Sequence, residues 1–258
     1  EESQNTGHGR PRLSRRGILR AAAGFGVVSA AGVGRGAGGD PRWSVATGGE
    51  VVSSPTVVAG TLFVGGSNGR TIALDAATGE QGWMVEAGDT VRTSPVVAGE
   101  TAIVAGGGTV YALAAASGGQ LWRFEMDGTV VSSPTVADGT VVVGDDGGCV
   151  SALDIVSGEH RWTVETGDSV ESSPTVAGGT VFVGSGDNSL YALSGASGEQ
   201  QWAVETGRPI TSSPTVAGDT VFVGNAGGSL FALATASGGQ LWRFDSDDRI
   251  RSSPTVAD

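Results

Sequence analysis

Short apolar runs separated by turn-forming residues dominate the hydrophobic pattern of this chain. The stretch 172–202 holds four of them, at 174–177, 180–183, 190–193 and 201–205. The runs are rich in Val, Leu, Ala and aromatic residues, and Gly, Ser, Asn and Asp lie between them. β-Branched and aromatic residues bounded by such turn formers predict short antiparallel strands joined by hairpins. Beyond the N-terminal region, no window keeps the 3.6-residue period of a helix.

The four-strand unit is repeated along the chain. Six Trp residues recur at intervals of 39 or 40 residues, and six Pro residues keep the same interval, five of them after Ser-Ser. Four antiparallel strands in about 40 residues are typical of a β-propeller blade. We therefore predict an all-β fold, a β-propeller with five complete blades and partial blades at both ends. The tryptophans are Trp43, Trp83, Trp122, Trp162, Trp202 and Trp242.

The partial blades are one strand each in this prediction. A fourth strand around Trp43 precedes the first complete unit, and a first strand from Ser252 to Asp258 follows the last one. We expect residues 41–258 to be one propeller domain that is incomplete in this chain.

One segment of the unit carries a family resemblance. Residues 73–83 read Ala-Leu-Asp-Ala-Ala-Thr-Gly-Glu-Gln-Gly-Trp, which resembles the Ala-x-Asp-x-x-Thr-Gly-Lys-x-x-Trp motif of pyrroloquinoline-quinone (PQQ) repeats. The resemblance covers residues 43–258 and implies that each Trp docks between adjacent blades. The glycine of the motif, Gly79, is expected to take a positive φ in its turn. Asp75 and Asp154, where the Asp of the motif is kept, are expected to accept backbone N–H bonds across that turn.

The first forty residues differ from the rest. Ser14-Arg15-Arg16-Gly17-Ile18-Leu19-Arg20 is followed by an uncharged stretch, 21–34, with small residues at 29–31. This order resembles a twin-arginine (Tat) export signal, with Arg15 and Arg16 as its arginine pair. We expect 1–40 to be a signal and linker, mostly disordered or helical, and the protein to be exported by the Tat translocase to the envelope or outside. The alternative is a basic, disordered N-terminus with a chance Arg pair.

Charge separates the same two regions. The formal net charge is −12, and every one of the 15 basic residues is Arg. The first 40 residues carry +3 and the remainder −15. A body this acidic repels phosphate backbones, which disfavours a nucleic-acid partner. An acidic, lysine-free protein rich in Val and Ala resembles haloarchaeal proteins, and we expect a halophilic protein; the alternative is an organism with ordinary salt needs and a GC-rich genome.

Candidate chemistry is sparse. The PQQ resemblance raises a quinoprotein dehydrogenase, whose alcohol-oxidising branch carries adjacent cysteines, a calcium held by Glu, Asn and Asp, and a catalytic Asp. This chain has one cysteine, Cys149, two histidines and only short connections between strands. We assign no catalytic residue, no metal site and no cofactor; PQQ with calcium belongs only to the alternative, a dehydrogenase fragment.

Comparison of the repeats with one another gives the candidate binding residues. The residue before each Ser-Ser-Pro or Thr-Ser-Pro varies in charge, whereas its surroundings are constant. This residue and the turns between second and third strands are expected to ring one mouth of the central channel. We predict a non-enzymatic scaffold that binds a protein or small ligand there; the alternative is drift at tolerated positions. The candidates are Arg92, Asp145, Asp146, Glu171, Asp187 and Arg251.

Overall fold

Six antiparallel β-sheets follow one another along the chain in the computed structural model, which describes residues 19–22, 27–31 and 41–256. Five sheets have four strands in sequential order, and the sheet at the N-terminal end has three. The predicted all-β fold of four-stranded blades is confirmed. The described residues include no helix, and accordingly none that is long and apolar enough to span a membrane.

The strands are short, three to six residues each. They are β1 Leu19–Ala22, β2 Val27–Ala31, β3 Pro41–Ala46, β4 Thr56–Val58, β5 Thr61–Gly65, β6 Arg70–Asp75, β7 Gln81–Glu86, β8 Val96–Ala98, β9 Thr101–Gly106, β10 Thr109–Ala114, β11 Gln120–Glu125, β12 Thr135–Ala137, β13 Thr140–Gly144, β14 Cys149–Asp154, β15 His160–Glu165, β16 Thr175–Ala177, β17 Thr180–Gly184, β18 Ser189–Ser194, β19 Gln200–Glu205, β20 Thr215–Ala217, β21 Thr220–Gly224, β22 Ser229–Ala234 and β23 Gln240–Asp245.

We call the three-stranded sheet β1–β3 the N-terminal sheet, and the four-stranded sheets β4–β7, β8–β11, β12–β15, β16–β19 and β20–β23 blades 1 to 5. A hydrophobic cluster lies between each pair of successive sheets. Between blades 2 and 3, for example, Ile103 and Trp122 pack with Val141 and Leu153. The core is therefore divided into layers between blades.

This layering explains the hydrophobic pattern of each strand. A second strand such as β13 has neighbours on both of its faces, so all five of its residues are buried. A fourth strand such as β15 lies at the outer edge, and Trp162 is its only buried residue. Continuous apolar runs thus mark strands covered on both faces, and alternation marks strands covered on one.

The strand register is the same from blade to blade. In blade 4, Ala192 lies opposite Trp202 and Leu193 opposite Gln200, with a bulge between the two pairs. The other four blades have the same bulge. Because an extra residue changes the local twist, the repeated bulge sets the same direction for each fourth strand.

The structure corrects the predictions for the N-terminal region. Trp43 does not lie on a single isolated strand, because β2 pairs with β3 and β1 pairs with β2. Ala30 lies opposite Trp43 with the bulge that follows in every blade. Residues 19–22 and 27–31 therefore take the places of strands two and three of a blade. These are the nine residues of 1–40 that the structure describes, and the assignment of 1–40 to a signal and linker stays a prediction. The backbone groups of these strands satisfy an edge of β3 that would otherwise lack partners. Arg15 and Arg16 lie outside the described residues.

The C-terminal partial blade also differs in detail. Residues 252–256 form no strand, although the sequence pattern predicts a first strand from Ser252. They still lie beside blade 5, because the Ser213 N–H donates to Ser253 Oγ at 3.2 Å and the Thr215 hydroxyl donates to the Pro254 carbonyl at 2.6 Å. Within the described residues no second strand follows to pair with this segment, which explains the missing ladder.

Candidate functional site

The Ser-Ser-Pro segments join each blade to the next. The second Ser of each segment donates its backbone N–H to the hydroxyl of the equivalent Ser in the following blade. In blade 3, the Ser133 N–H meets Ser173 Oγ at 3.0 Å. The same bond forms from Ser54, Ser94, Ser173 and Ser213. A row of five hydrogen bonds thus joins the segments that precede the first strands of blades 1 to 5 to one another and to the segment after blade 5.

The tryptophans dock each fourth strand against the following blade. Trp162 Nε1 donates to the Gly195 carbonyl of blade 4 at 3.0 Å. Its ring lies on Gly198, whose φ is 74° and where an added Cβ would lie 2.8 Å from the indole. Both the positive φ and the contact require glycine. Equivalent indole bonds are made by Trp43, Trp83, Trp122 and Trp202.

The last tryptophan has a different environment. Trp242 is 45% exposed, and Leu241 and Phe244 beside it are 57% and 60% exposed. No described residue covers this face of blade 5 as the next blade covers the other tryptophans.

The turn predictions for the repeat motif are confirmed. Gly79 has a φ of 78°. Asp75 Oδ1 accepts the N–H groups of Ala77 and Thr78, and Asp154 Oδ1 accepts those of Val156 and Ser157. The N–H of Ser157 and the Arg161 side chain hold the pKa of Asp154 well below its usual range.

The three candidate aspartates accept hydrogen bonds from backbone N–H groups in or beside the turns in which they lie. Asp146 Oδ1 accepts the Thr129 N–H at 2.7 Å, and Asp187 Oδ2 accepts the Gly167 N–H at 2.8 Å. Asp145 Oδ1 accepts the Cys149 N–H at 2.7 Å. Each bond fixes the turn between strands two and three or ties it to the connection from the preceding blade. Contact with a partner by these three residues stays a prediction.

Asp145 has an unusual second oxygen. The residue is 1% exposed, and its Oδ2 has no hydrogen-bond partner among the described residues. The equivalent residue in blade 5 is Asn225, whose Nδ2 donates to the Thr206 carbonyl at 3.0 Å. A carboxylate at this position lacks that donor.

Asp187 is coupled to a tyrosine. The Tyr191 hydroxyl donates to Asp187 Oδ2 at 2.6 Å. Although burial raises it, the bonds from Tyr191 and the Gly167 N–H hold the pKa of Asp187 below its usual value. Burial and the bond to Asp187 raise the pKa of Tyr191 to about 12.

A cavity brings two of the candidate residues together. Glu171 and Arg251 both line a cavity of about 750 Å³, with Arg208 and Arg249. Pro209, Thr211, Ala226 and Gly227 complete the wall, so residues that precede Ser-Ser-Pro and a turn between strands two and three do share this face. Arg92, three blades before Thr211, does not line this cavity.

Arg208 and Arg249 are site residues that the sequence prediction missed. Arg208 lies three residues before Thr211, and Arg249 lies two residues before Arg251. At the equivalent places the other units carry Gly, Asp, Glu, Thr, Ser or Pro. The signal in the sequence is that an arginine occurs at each of these two places in one unit only, which a comparison restricted to the residue immediately before Ser-Ser-Pro does not reveal.

Cys149 and His160, the other candidate reactive side chains that the structure describes, do not form a catalytic arrangement. Burial, then the neighbouring Asp145 carboxylate, raises the pKa of Cys149, which keeps this residue a thiol and a poor nucleophile. His160 Nε2 is hydrogen-bonded to Thr163 Oγ1 at 2.7 Å, and its ring stacks on Phe124. Among the residues described, no three His, Cys, Asp or Glu side chains are grouped as metal ligands.

The repeated four-stranded blades, the Trp–Gly interfaces and the motif at 73–83 define a β-propeller of PQQ-like repeats. The chain belongs to the family described as "Outer membrane protein assembly factor BamB", whose model matches residues 5–108, 106–215 and 195–258. No curated protein is similar enough in sequence to count as a relative.

Solved structures share the fold at low sequence identity. BamB from Moraxella catarrhalis is 20% identical with a TM-score of 0.63, over 94% of this chain and 89% of that one. The computationally designed Ika8 protein is 15% identical with a TM-score of 0.81, over 95% and 77%. Quinohemoprotein alcohol dehydrogenase from Comamonas testosteroni is 19% identical with a TM-score of 0.69. That match covers 76% of this chain and only 43% of the dehydrogenase.

The lining of this cavity does not fit a quinone held by calcium. The cavity is lined by three arginines and one carboxylate residue, Glu171. Such a lining repels a divalent cation, whose usual ligands are several oxygen atoms. Cys149 is the only cysteine, so the adjacent pair of the alcohol-oxidising branch has no counterpart.

Proposed function

We propose that this protein is an exported, non-enzymatic propeller scaffold that binds a protein or small ligand at the cell envelope or outside. The cavity lined by Arg208, Arg249 and Arg251 carries the proposal. It lies where repeats that are otherwise nearly constant differ in charge, and no catalytic set accompanies it in the described residues. Family membership supports a scaffold, since the family description names an assembly factor.

A fragment of a PQQ-dependent dehydrogenase is the second candidate, favoured by the fold shared with the Comamonas enzyme. Titration of the purified protein with PQQ and Ca²⁺, followed by a dye-linked alcohol oxidation assay, decides between the two. The scaffold function predicts no saturable quinone binding and no dye reduction. Saturable binding with turnover would contradict it.

Export through the Tat pathway is part of the proposal and rests on the Ser14-Arg15-Arg16 segment. The double substitution Arg15→Lys/Arg16→Lys, in the producing organism, should leave the protein inside the cell. Arg10→Lys/Arg12→Lys, which makes the same change outside the motif, is the matched control. Undiminished export of the first variant would contradict the Tat assignment.

A further inference from the structure

The cavity beside blade 5 concentrates positive charge in an acidic protein. Nine arginines lie in residues 41–258 against 24 acidic residues. Four of these arginines pair with carboxylates: Arg70, Arg123, Arg161 and Arg243. Of the other five, Arg208, Arg249 and Arg251 line one cavity. The same cavity contains one carboxylate, Glu171, so three arginines against one glutamate give its lining a net charge of +2. A lining of that charge attracts an anion.

The wall of the cavity positions these groups. A Cβ added at Gly227 would lie 2.6 Å from Arg208 Cγ, so the Arg208 stem crosses a residue without a side chain. Pro209 and Thr211 lie between the arginines in the wall. The Ile250 side chain, between Arg249 and Arg251, packs on Gly224, where an added Cβ would collide with Ile250 Cγ2. This packing of Ile250 anchors the segment that carries both arginines.

The charged residues of this cavity come from three successive connections between blades. Glu171 leads into blade 4, Arg208 and Thr211 lead into blade 5, and Arg249 and Arg251 follow blade 5. The three arginines lie on two of these connections, Arg208 before blade 5 and Arg249 and Arg251 after it. An extended chain with successive carboxylates matches guanidinium groups spread over two connections, whereas a compact phosphate would meet only some of them. Guanidinium forks bind carboxylates in bidentate pairs, and Arg is enriched at the centres of protein interfaces.

We infer that this cavity binds an acidic stretch of a partner protein, with its carboxylates on Arg208, Arg249 and Arg251. The inference rests on the proposed scaffold function and names the chemistry of its partner. The acidic body, with a net charge of −15 beyond residue 40, repels such a stretch everywhere else and so directs it to this cavity.

The test uses a fluorescent hexaglutamate peptide and the full chain, at the lowest salt concentration that keeps the protein folded. We expect saturable binding of one peptide per chain, no binding of a hexaglutamine peptide, and displacement by pyrophosphate only at concentrations more than about tenfold above those of unlabelled hexaglutamate. Arg249→Gln/Arg251→Gln should weaken peptide binding at least about tenfold, which is about 1.4 kcal/mol.

Arg123→Gln/Arg243→Gln is the matched control, because it also removes two positive charges, from the outer strands of blades 2 and 5, and should leave binding unchanged. Arg249→Glu/Arg251→Glu should lose hexaglutamate and gain hexalysine. Equal binding by wild-type protein and Arg249→Gln/Arg251→Gln would overturn the inference, as would pyrophosphate binding tighter than the peptide. Quinone turnover would instead contradict the scaffold function, and it is measured separately from these peptide experiments.

Discussion

At the scale of single residues, the blade interfaces depend on one indole and one glycine each. Every docked Trp has a bond from its Nε1 to a carbonyl of the following blade and lies on a glycine with positive φ. The same residue type at position 242 lacks this environment among the described residues. Trp242 is therefore an internal control for the free energy of unfolding that a docked tryptophan contributes.

Trp162→Ala should lower the free energy of unfolding by about 3–5 kcal/mol, because it leaves a cavity between blades 3 and 4. Trp242→Ala, at a 45% exposed site, should change it by about 0.5 kcal/mol. Denaturant unfolding of both variants measures the difference. Equal losses would contradict the docking role of Trp162.

Asp145→Asn should raise the free energy of unfolding by about 1 kcal/mol, because the amide supplies the donor that Asn225 uses in blade 5. Asp146→Asn, one residue away, keeps its acceptor for the Thr129 N–H and should show no gain. Thermal melts of the two variants check this, and a destabilised Asp145→Asn protein would contradict it.

The hydrogen bond from Tyr191 to Asp187 leads us to expect that the free energy of unfolding falls at alkaline pH. The folded pKa of Tyr191, about 12, exceeds the unfolded value of about 10, so its contribution is complete below about pH 10 and disappears as the pH rises toward 12. The absence of lysine removes the residue type that most often titrates in this range. Tyr191→Phe should flatten stability over this range, measured by denaturant midpoints. A wild-type slope in that variant would contradict the Tyr191–Asp187 coupling.

At the scale of elements, the sequence predicted the blades because each strand type has its own pattern. The second and third strands are continuous apolar runs, and the fourth alternates around Trp, as in β13 and β15. β1 and β2 were missed because Ala, Gly and Val after an arginine pair also form the apolar part of an export signal. The pairing of β2 with β3 is not visible in the sequence alone, and the export signal stays a prediction.

The first Ser of each Ser-Ser-Pro segment closes a short loop within its blade. Ser132 Oγ accepts the Gly144 N–H at 2.6 Å and donates to the Gly144 carbonyl. Ser132→Ala should cost about 1–3 kcal/mol, because it leaves the buried Gly144 N–H without its partner, although the Gly144 carbonyl still accepts the Ser132 N–H. Ser157→Ala, in an exposed turn, is the control, and chemical denaturation compares them. A loss no greater than that of the control would contradict this role.

At the scale of the whole molecule, the candidate site was predictable only in part. Glu171 and Arg251 were found because the repeats differ there, whereas Arg208 and Arg249 required the structure to show which positions of the connection face one cavity. Asp145, Asp146 and Asp187 share the predicted turns, but their bonds to backbone N–H groups give them structural roles that their residue types do not reveal.

Net charge leads to a prediction about salt. A body of −15 is destabilised by its own repulsion, which salt at about 1 M screens beyond about 3 Å. We expect near-UV circular dichroism and a sharp melt in molar salt and their loss in dilute buffer. A full signal and a sharp melt in dilute buffer would contradict the halophilic assignment.

The central claim is that the cavity lined by Arg208, Arg249 and Arg251 binds a partner protein. A photo-crosslinking amino acid in place of Thr211 in the cavity, in the producing organism, tests it most directly, with the exposed Ala203 of β19 as the control position. The account predicts one discrete protein adduct from position 211, absent from position 203 and lost in the Arg249→Gln/Arg251→Gln background. Identical adducts from both positions, or no adduct from position 211, would contradict it.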